Sequence, residues 1–127
     1  MARPPGAGRA PLTVAKDPQV PRPTRKSEYT IVFASEGARK GWQDLAATIR
    51  GPLADTWDFL IRTPTERTPT NYPLKGEELG IITRAGTRHV RWQHKPTARG
   101  DARIWFYVAG QTVFLEQVHT RHPNQTK

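Results

Sequence analysis

Two β-branched and aromatic runs set three residues apart constrain this chain more than any other feature. Ala102-Arg-Ile-Trp-Phe-Tyr-Val108 and Thr112-Val-Phe-Leu-Glu-Gln-Val118 are joined by Ala109-Gly110-Gln111. A Gly-containing connection this short closes a hairpin, so the two strands run antiparallel. Side chains alternate along a strand. Ile104, Phe106 and Val108 therefore form one row, suited to a core, while Arg103, Trp105 and Tyr107 form the opposite row. His89-Val-Arg-Trp-Gln-His-Lys95 reads as a further strand, with His89, Arg91, Gln93 and Lys95 on one face and Val90, Trp92 and His94 on the other. The Pro96-to-Asp101 segment between them is a loop.

Ahead of these strands the apolar period changes. Tyr29-Thr-Ile-Val-Phe33 reads as an opening strand. Ser35 and Glu36 then supply an N-cap and a first-turn acid. Ala38, Trp42, Leu45, Ala46 and Ile49 follow as one stripe of an amphipathic helix. Gly51-Pro52 is expected to stop it, with Pro52 opening a second helix whose apolar face is Leu53, Trp57, Leu60 and Ile61. Thr63-Pro64 ends that helix, and so short a break predicts an antiparallel helical hairpin. The fold class is α+β: an N-terminal strand, then a two-helix hairpin packed on a three- to four-stranded antiparallel sheet.

Residues 1–28 differ from the rest. They hold six of the twelve prolines and no aromatic residue, and so cannot bury enough apolar surface to offset the entropy of ordering. They are expected to form a disordered, basic, Pro-rich tail, with the domain at 29–127. The apolar pieces of the tail are too short for a signal-peptide core or a membrane span. With no cysteine there is neither a disulfide framework nor a thiolate zinc site, which suits a cytoplasmic protein.

The net charge is +9, unevenly spread. Residues 1–28 carry six Lys/Arg against two acids, residues 29–74 five of each, and residues 75–127 nine against four together with all four histidines. A neutral half followed by a basic, imidazole-bearing half suggests scaffold followed by an anion-binding surface, with nucleic acid as the expected partner.

The row Arg103, Trp105, Tyr107 pairs a guanidinium with two rings, the combination that grips phosphate and stacks a base. Arg91 and Lys95 add positive charge from the preceding strand, although each taken alone also suits a solvated strand position. His89 and His94 read as surface histidines. The closing His119-Thr-Arg121-His122 puts three ionisable groups at a strand end, which favours phosphate chemistry over zinc, because no Cys and no helical His spacing accompany it. The sequence contains no Gly-rich phosphate loop, nucleophile elbow or paired-carboxylate motif, and no metal or other cofactor is expected.

In order along the chain, several of these pieces resemble the RelE/ParE toxin superfamily over about residues 29–122. Phe33 with Glu36, Ala38, Trp42 and Leu45 is similar to the opening strand and W-x-x-L helix. Pro73-Leu-Lys-Gly76 is similar to the Leu-(Lys/Arg)-Gly signature ahead of the sheet. Ala102–Val108 resembles the (Tyr/His)-Arg-(Leu/Ile/Val)-x-Tyr strand, and Val118-His-Thr-Arg121 the closing valine-to-arginine segment. The chain departs from the pattern at two places. No tyrosine follows Arg121, and Tyr72 stands where one branch keeps a glutamate before Pro73-Leu74.

The resemblance implies a toxin of a type II toxin–antitoxin system, expected to cut mRNA on the ribosome by driving the nucleotide's own 2′-OH at the adjacent phosphate. Arg103 and Arg121 would face the scissile phosphate, and His119 or His122 would donate a proton to the leaving oxygen. Lys75, Arg91 and Lys95 would bind RNA, with Trp105 or Tyr107 stacking a base. It also implies a cognate acidic antitoxin. Two alternatives remain open: a ParE-type inhibitor of DNA gyrase, and a non-catalytic RNA- or ribosome-binding protein.

Overall fold

The helical stripe forms where the spacing predicts, because its N-terminus is anchored twice. In the computed structural model, which describes residues 17–121, α1 spans Glu36–Thr48. The Ser35 hydroxyl oxygen accepts from the Ala38 N–H at 3.0 Å and donates to the Glu116 carbonyl at 2.9 Å, so one side chain caps the helix and ties it to the sheet. The helix ends earlier than Gly51-Pro52. Ile49 is the single junction residue, and α2 spans Arg50–Arg62. Gly51 and Pro52 lie in its first turn, where a missing N–H costs nothing. Thr63 closes α2 through its N–H to the Phe59 carbonyl.

The sheet is larger than expected, and it is mixed. β1 (Thr30–Phe33), β2 (Asn71–Pro73), β5 (Trp92–His94), β6 (Arg103–Ala109) and β7 (Thr112–His119) form a five-stranded sheet in the order β1-β7-β6-β5-β2. β1 lies parallel to β7, with Thr30 beside Thr112 and Phe33 beside Leu115; the other neighbours are antiparallel. A short helix α3 (Glu77–Gly80) precedes a separate two-stranded sheet, β3 (Ile81–Arg84) with β4 (Thr87–Val90). Ala85 and Gly86 turn that hairpin with φ of 52° and 79°, the backbone that a two-residue I′ turn demands.

The 89–95 run is thus not one strand. The chain leaves β4 at Val90 and enters the main sheet at Trp92. At the crossing, the Arg91 N–H donates to the Gly80 carbonyl and the Arg91 carbonyl accepts from the Leu74 N–H. Both main-chain groups of Arg91 thus stay paired while the chain changes sheets.

One face of the main sheet carries the core. Ala38, Leu45, Leu53 and Leu60 of the helices meet Trp92, Ile104, Phe106, Val113 and Leu115. α1 lies so close to β7 that a Cβ at Gly41 would stand 2.3 Å from the Val118 carbonyl oxygen. His94 also lies on this face. It is 6% exposed, which corrects the surface reading. Its Nδ1 is 3.0 Å from Asn71 Oδ1 and its Nε2 3.1 Å from Thr56 Oγ1. The Asn71 amide nitrogen donates to the Pro64 and Glu66 carbonyls, so Oδ1 must accept, Nδ1 carries the proton, and the Thr56 hydroxyl donates to Nε2. Burial pushes this imidazole down to about 4.

Of the stretch expected as a tail, residues 1–16 lie outside the described residues, and Asp17 to Ser27 are exposed. Arg22 nevertheless grips the buried Glu28 through two hydrogen bonds of 2.9 and 2.8 Å, and its guanidinium stands 6.0 Å from the centre of the Trp57 ring.

Candidate functional site

Alternation in β6 turns Arg103, Trp105 and Tyr107 away from the helices, as the sequence predicts. The register then brings β7 groups to them: Arg103 stands opposite His119, Trp105 opposite Gln117 and Tyr107 opposite Phe114. The register slips between Trp105 and Phe106, because Phe106 pairs with Leu115. The additional residue on β7 is a bulge, and it delivers Glu116 beside Gln117 on the helix-free side. From β5, Gln93 stands on the other flank of Trp105 and accepts its indole N–H at 2.8 Å. The Gln93 amide donates in turn to the Tyr72 hydroxyl at 2.9 Å.

The centre of this face is a buried ion pair that sequence reasoning missed. Arg91 donates from Nε to Glu116 Oε1 at 2.8 Å and from Nη2 to Oε2 at 2.9 Å. It also donates to the Leu79 carbonyl and lies 5.5 Å above the Trp105 ring. Arg84 reaches the same carboxylate at 3.5 Å from the β3–β4 hairpin. A carboxylate among apolar strand residues has no periodic signature, and the arginine that pairs with it stands 25 positions away in the sequence.

Packing leaves little free surface on three of the residues expected to bind RNA. Trp105 and Tyr107 are 1% and 6% exposed. Arg91, Gln93 and the edge-on His119 ring cover the first; His89 and Phe114 stack on the second, with centroids 4.7 and 4.9 Å away. Neither ring has a free surface for a base. Arg91 is not a free cation, because Glu116 engages both ends of its fork. Lys95 is half-buried, with its main-chain N–H given to the Thr70 carbonyl, and Lys75 is exposed near α3.

The remaining candidates gather at one end of the sheet. Arg103 is 7% exposed, and its Nη1 donates to the Gly100 and Ala102 carbonyls at 2.8 and 2.9 Å. Its Nε is buried without a hydrogen-bond partner, and no ion pair among the described residues includes it. A nearly buried guanidinium balanced only by carbonyl dipoles is a strong local source of positive potential. Across the ladder, His119 is half-buried. Burial pulls its imidazole below the ordinary range, while Glu116 partly offsets that pull. Arg121, two residues on, is exposed. His122 lies outside the described residues. Among the described residues no group of His, Cys, Asp or Glu is arranged to hold a metal ion, and no helix is long and apolar enough to cross a membrane.

No family model matches the sequence, and no curated protein matches it. Among solved structures, the chain is similar to the YoeB/ParE toxin from Agrobacterium tumefaciens, with a TM-score of 0.51 and 20% identity over 74% of this chain and 98% of that one. The likeness is one of fold: the chain has the α+β architecture of RelE/ParE-like toxins.

Proposed function

We propose that this chain is the toxin of a type II toxin–antitoxin pair and that it cuts RNA at the sheet end formed by Arg103, His119 and Arg121. One observation carries the reading. An unpaired, nearly buried guanidinium at Arg103 faces the half-buried imidazole of His119 across the β6–β7 ladder, with the exposed Arg121 two residues along. Together these supply positive charge for a developing phosphorane and a group able to move a proton.

The chemistry is an internal transesterification of RNA. A 2′-OH loses its proton, its oxygen bonds to the adjacent phosphorus, and the bond from phosphorus to the 5′-oxygen breaks. The 5′-oxygen takes up a proton, leaving a 2′,3′-cyclic phosphate and a 5′-OH end. His119 has its pKa lowered by burial, so at neutral pH it is suited to accept the 2′-OH proton rather than to donate one. Arg121 and Arg103 stabilise the phosphorane charge. Lys75, exposed, and Lys95, half-buried, are the further cations assigned to the RNA backbone in this reading. The basic C-terminal half suits mRNA on a ribosome in the cytoplasm and an acidic antitoxin that silences the chain.

The test is to induce the wild type, His119→Ala and Arg121→Ala in bacterial cells and map mRNA 5′-OH ends. Wild-type cuts that drop at least about 100-fold in both variants are expected, since a positioned acid–base group contributes 10²–10⁴-fold. Undiminished cleavage in both overturns the assignment. A gyrase-directed toxin is favoured by one feature, the sealing of Trp105 and Tyr107, which leaves no stacking platform for a base. DNA-damage signalling without mRNA cuts on induction would identify it.

A further inference from the structure

We infer that Glu116 and Gln117 are positioning residues that fix the tautomer and orientation of His119, so that Nδ1 is its proton acceptor. This role rests on the ribonuclease reading above for its consequence, but the geometry behind it is independent of any substrate. Arg91 holds the Glu116 carboxylate with two hydrogen bonds, and Arg84 approaches Oε2 from the β3–β4 hairpin. The Gln117 amide nitrogen lies 3.3 Å from the same Oε2, and the Gln117 amide oxygen lies 2.8 Å from His119 Nε2.

A carboxylate only accepts hydrogen bonds, so the Gln117 edge facing it must be the NH2 group. The other edge, facing His119, is therefore the carbonyl oxygen, itself only an acceptor. His119 Nε2 must then carry a proton, and in the neutral ring Nδ1 keeps the lone pair. The chain Arg91–Glu116–Gln117–His119 thus does what an orienting third group does for any catalytic imidazole: it selects the tautomer and stops the ring from turning. Trp105 supplies the floor, with the His119 ring edge-on at 4.9 Å and 69°.

The bulge makes the arrangement possible. Regular alternation from Val113 and Leu115 would put Gln117 on the core side; the slipped register delivers both polar side chains to the helix-free face. Glu116 on its own strand acts on His119 electrostatically, Arg103 stands opposite it on β6, and Arg121 follows two residues along.

The experiment is ¹H–¹⁵N NMR on full-length protein with ¹⁵N-labelled histidine, comparing the wild type with Gln117→Leu and Gln117→Glu. Above the His119 titration range, the wild type should show a protonated Nε2, an unprotonated Nδ1 and a slowly exchanging Nε2 proton. Gln117→Leu should speed exchange of that proton at least about tenfold, while Gln117→Glu, which keeps an acceptor for it but sets a second carboxylate against Glu116, should retain the proton and raise the His119 titration range. The buried His94 ring, protonated on Nδ1, serves as an internal reference that the variant is folded.

In cells, Gln117→Leu should lower mRNA cleavage about tenfold. A proton on Nδ1 of neutral wild-type His119, or exchange within about twofold of wild type in Gln117→Leu with His94 unchanged, would overturn the inference. Faster exchange in Gln117→Leu combined with full cleavage by His119→Ala upholds the positioning geometry and sinks the ribonuclease reading instead.

Discussion

Acidification should destabilise this protein through a single core imidazole. His94 is wedged between Asn71, Thr56 and the Phe59 ring, and burial pushes it down to about 4 from an ordinary 6.5. In the unfolded chain the same group titrates near its ordinary value, so between those limits the unfolded state binds a proton that the folded state refuses. The contribution is fully present above about pH 6.5, falls as the pH drops, and levels off below about 4. The whole gap is worth roughly 3 kcal/mol, of which about 2 kcal/mol is already lost at pH 5. With a urea slope of about 1–2 kcal/mol/M for a domain of this size, the unfolding midpoint should fall by about 1–2 M between pH 7.5 and pH 5. His94→Gln isolates the effect, because its amide can donate to Asn71 Oδ1 and accept from the Thr56 hydroxyl without titrating. His119 shifts in the same direction in both proteins, so it cancels in the comparison. Urea curves at a series of pH values should show a markedly shallower decline for His94→Gln. Equal declines in the two proteins over that window would refute the reasoning.

Glu116→Ala should cost about 3–5 kcal/mol in urea unfolding, because Arg91 is left charged and nearly buried without its partner, and a double change of both residues to Met should recover most of that. Gly41→Ala should cost about 2 kcal/mol or more, measured the same way, since the new Cβ would force α1 off the Val118 carbonyl. Ala85→Asn should add about 0.5–1 kcal/mol, read as a rise in Tm, because φ of 52° penalises alanine and suits asparagine in an I′ turn. Glu28 is held down to about 2 by the Arg22 hydrogen bonds first and the Arg25 N–H second. Its contribution is therefore present above pH 4.5 and lost as the pH falls toward 2. Arg22→Ala should flatten acid unfolding within that window, followed by circular dichroism.

Much of the scaffold was legible because local period decides it. The Ser35 cap, the Ala38–Leu45 stripe and the alternation of Arg103 to Val108 follow from neighbours in sequence, and the helices do cover the Ile104, Phe106 row. Failures occurred where a distant partner decides. Alternation runs unbroken from His89 to Lys95, yet the partner strand changes at Arg91 from β3 to β6, and no pattern within seven residues records that. The open face looked suited to base stacking because the β3–β4 hairpin that lays His89 on Tyr107 is a tertiary event. The Glu116–Gln117 pair stayed hidden because one slipped register position reverses which side chains point outward. Arg103 and His119 meet because the register beyond the bulge pairs them, with Arg121 two residues on; the state of each, buried, half-buried or exposed, needed the surrounding structure.

The parallel contact between β1 and β7 has a consequence for how the protein comes into being. Among the described residues, Thr30–Phe33 finds its one sheet neighbour in a strand whose carbonyl at Glu116 is met by Ser35 from 81 positions earlier. During synthesis the opening strand and both helices must wait with their apolar sides uncovered until nearly all of this sequence has emerged. Closures over such separations are slow and leave intermediates open to capture. A growing chain stopped before Thr112 lacks both the strand that joins β1 to the rest of the sheet and His119, so the proposed site cannot exist on such a fragment.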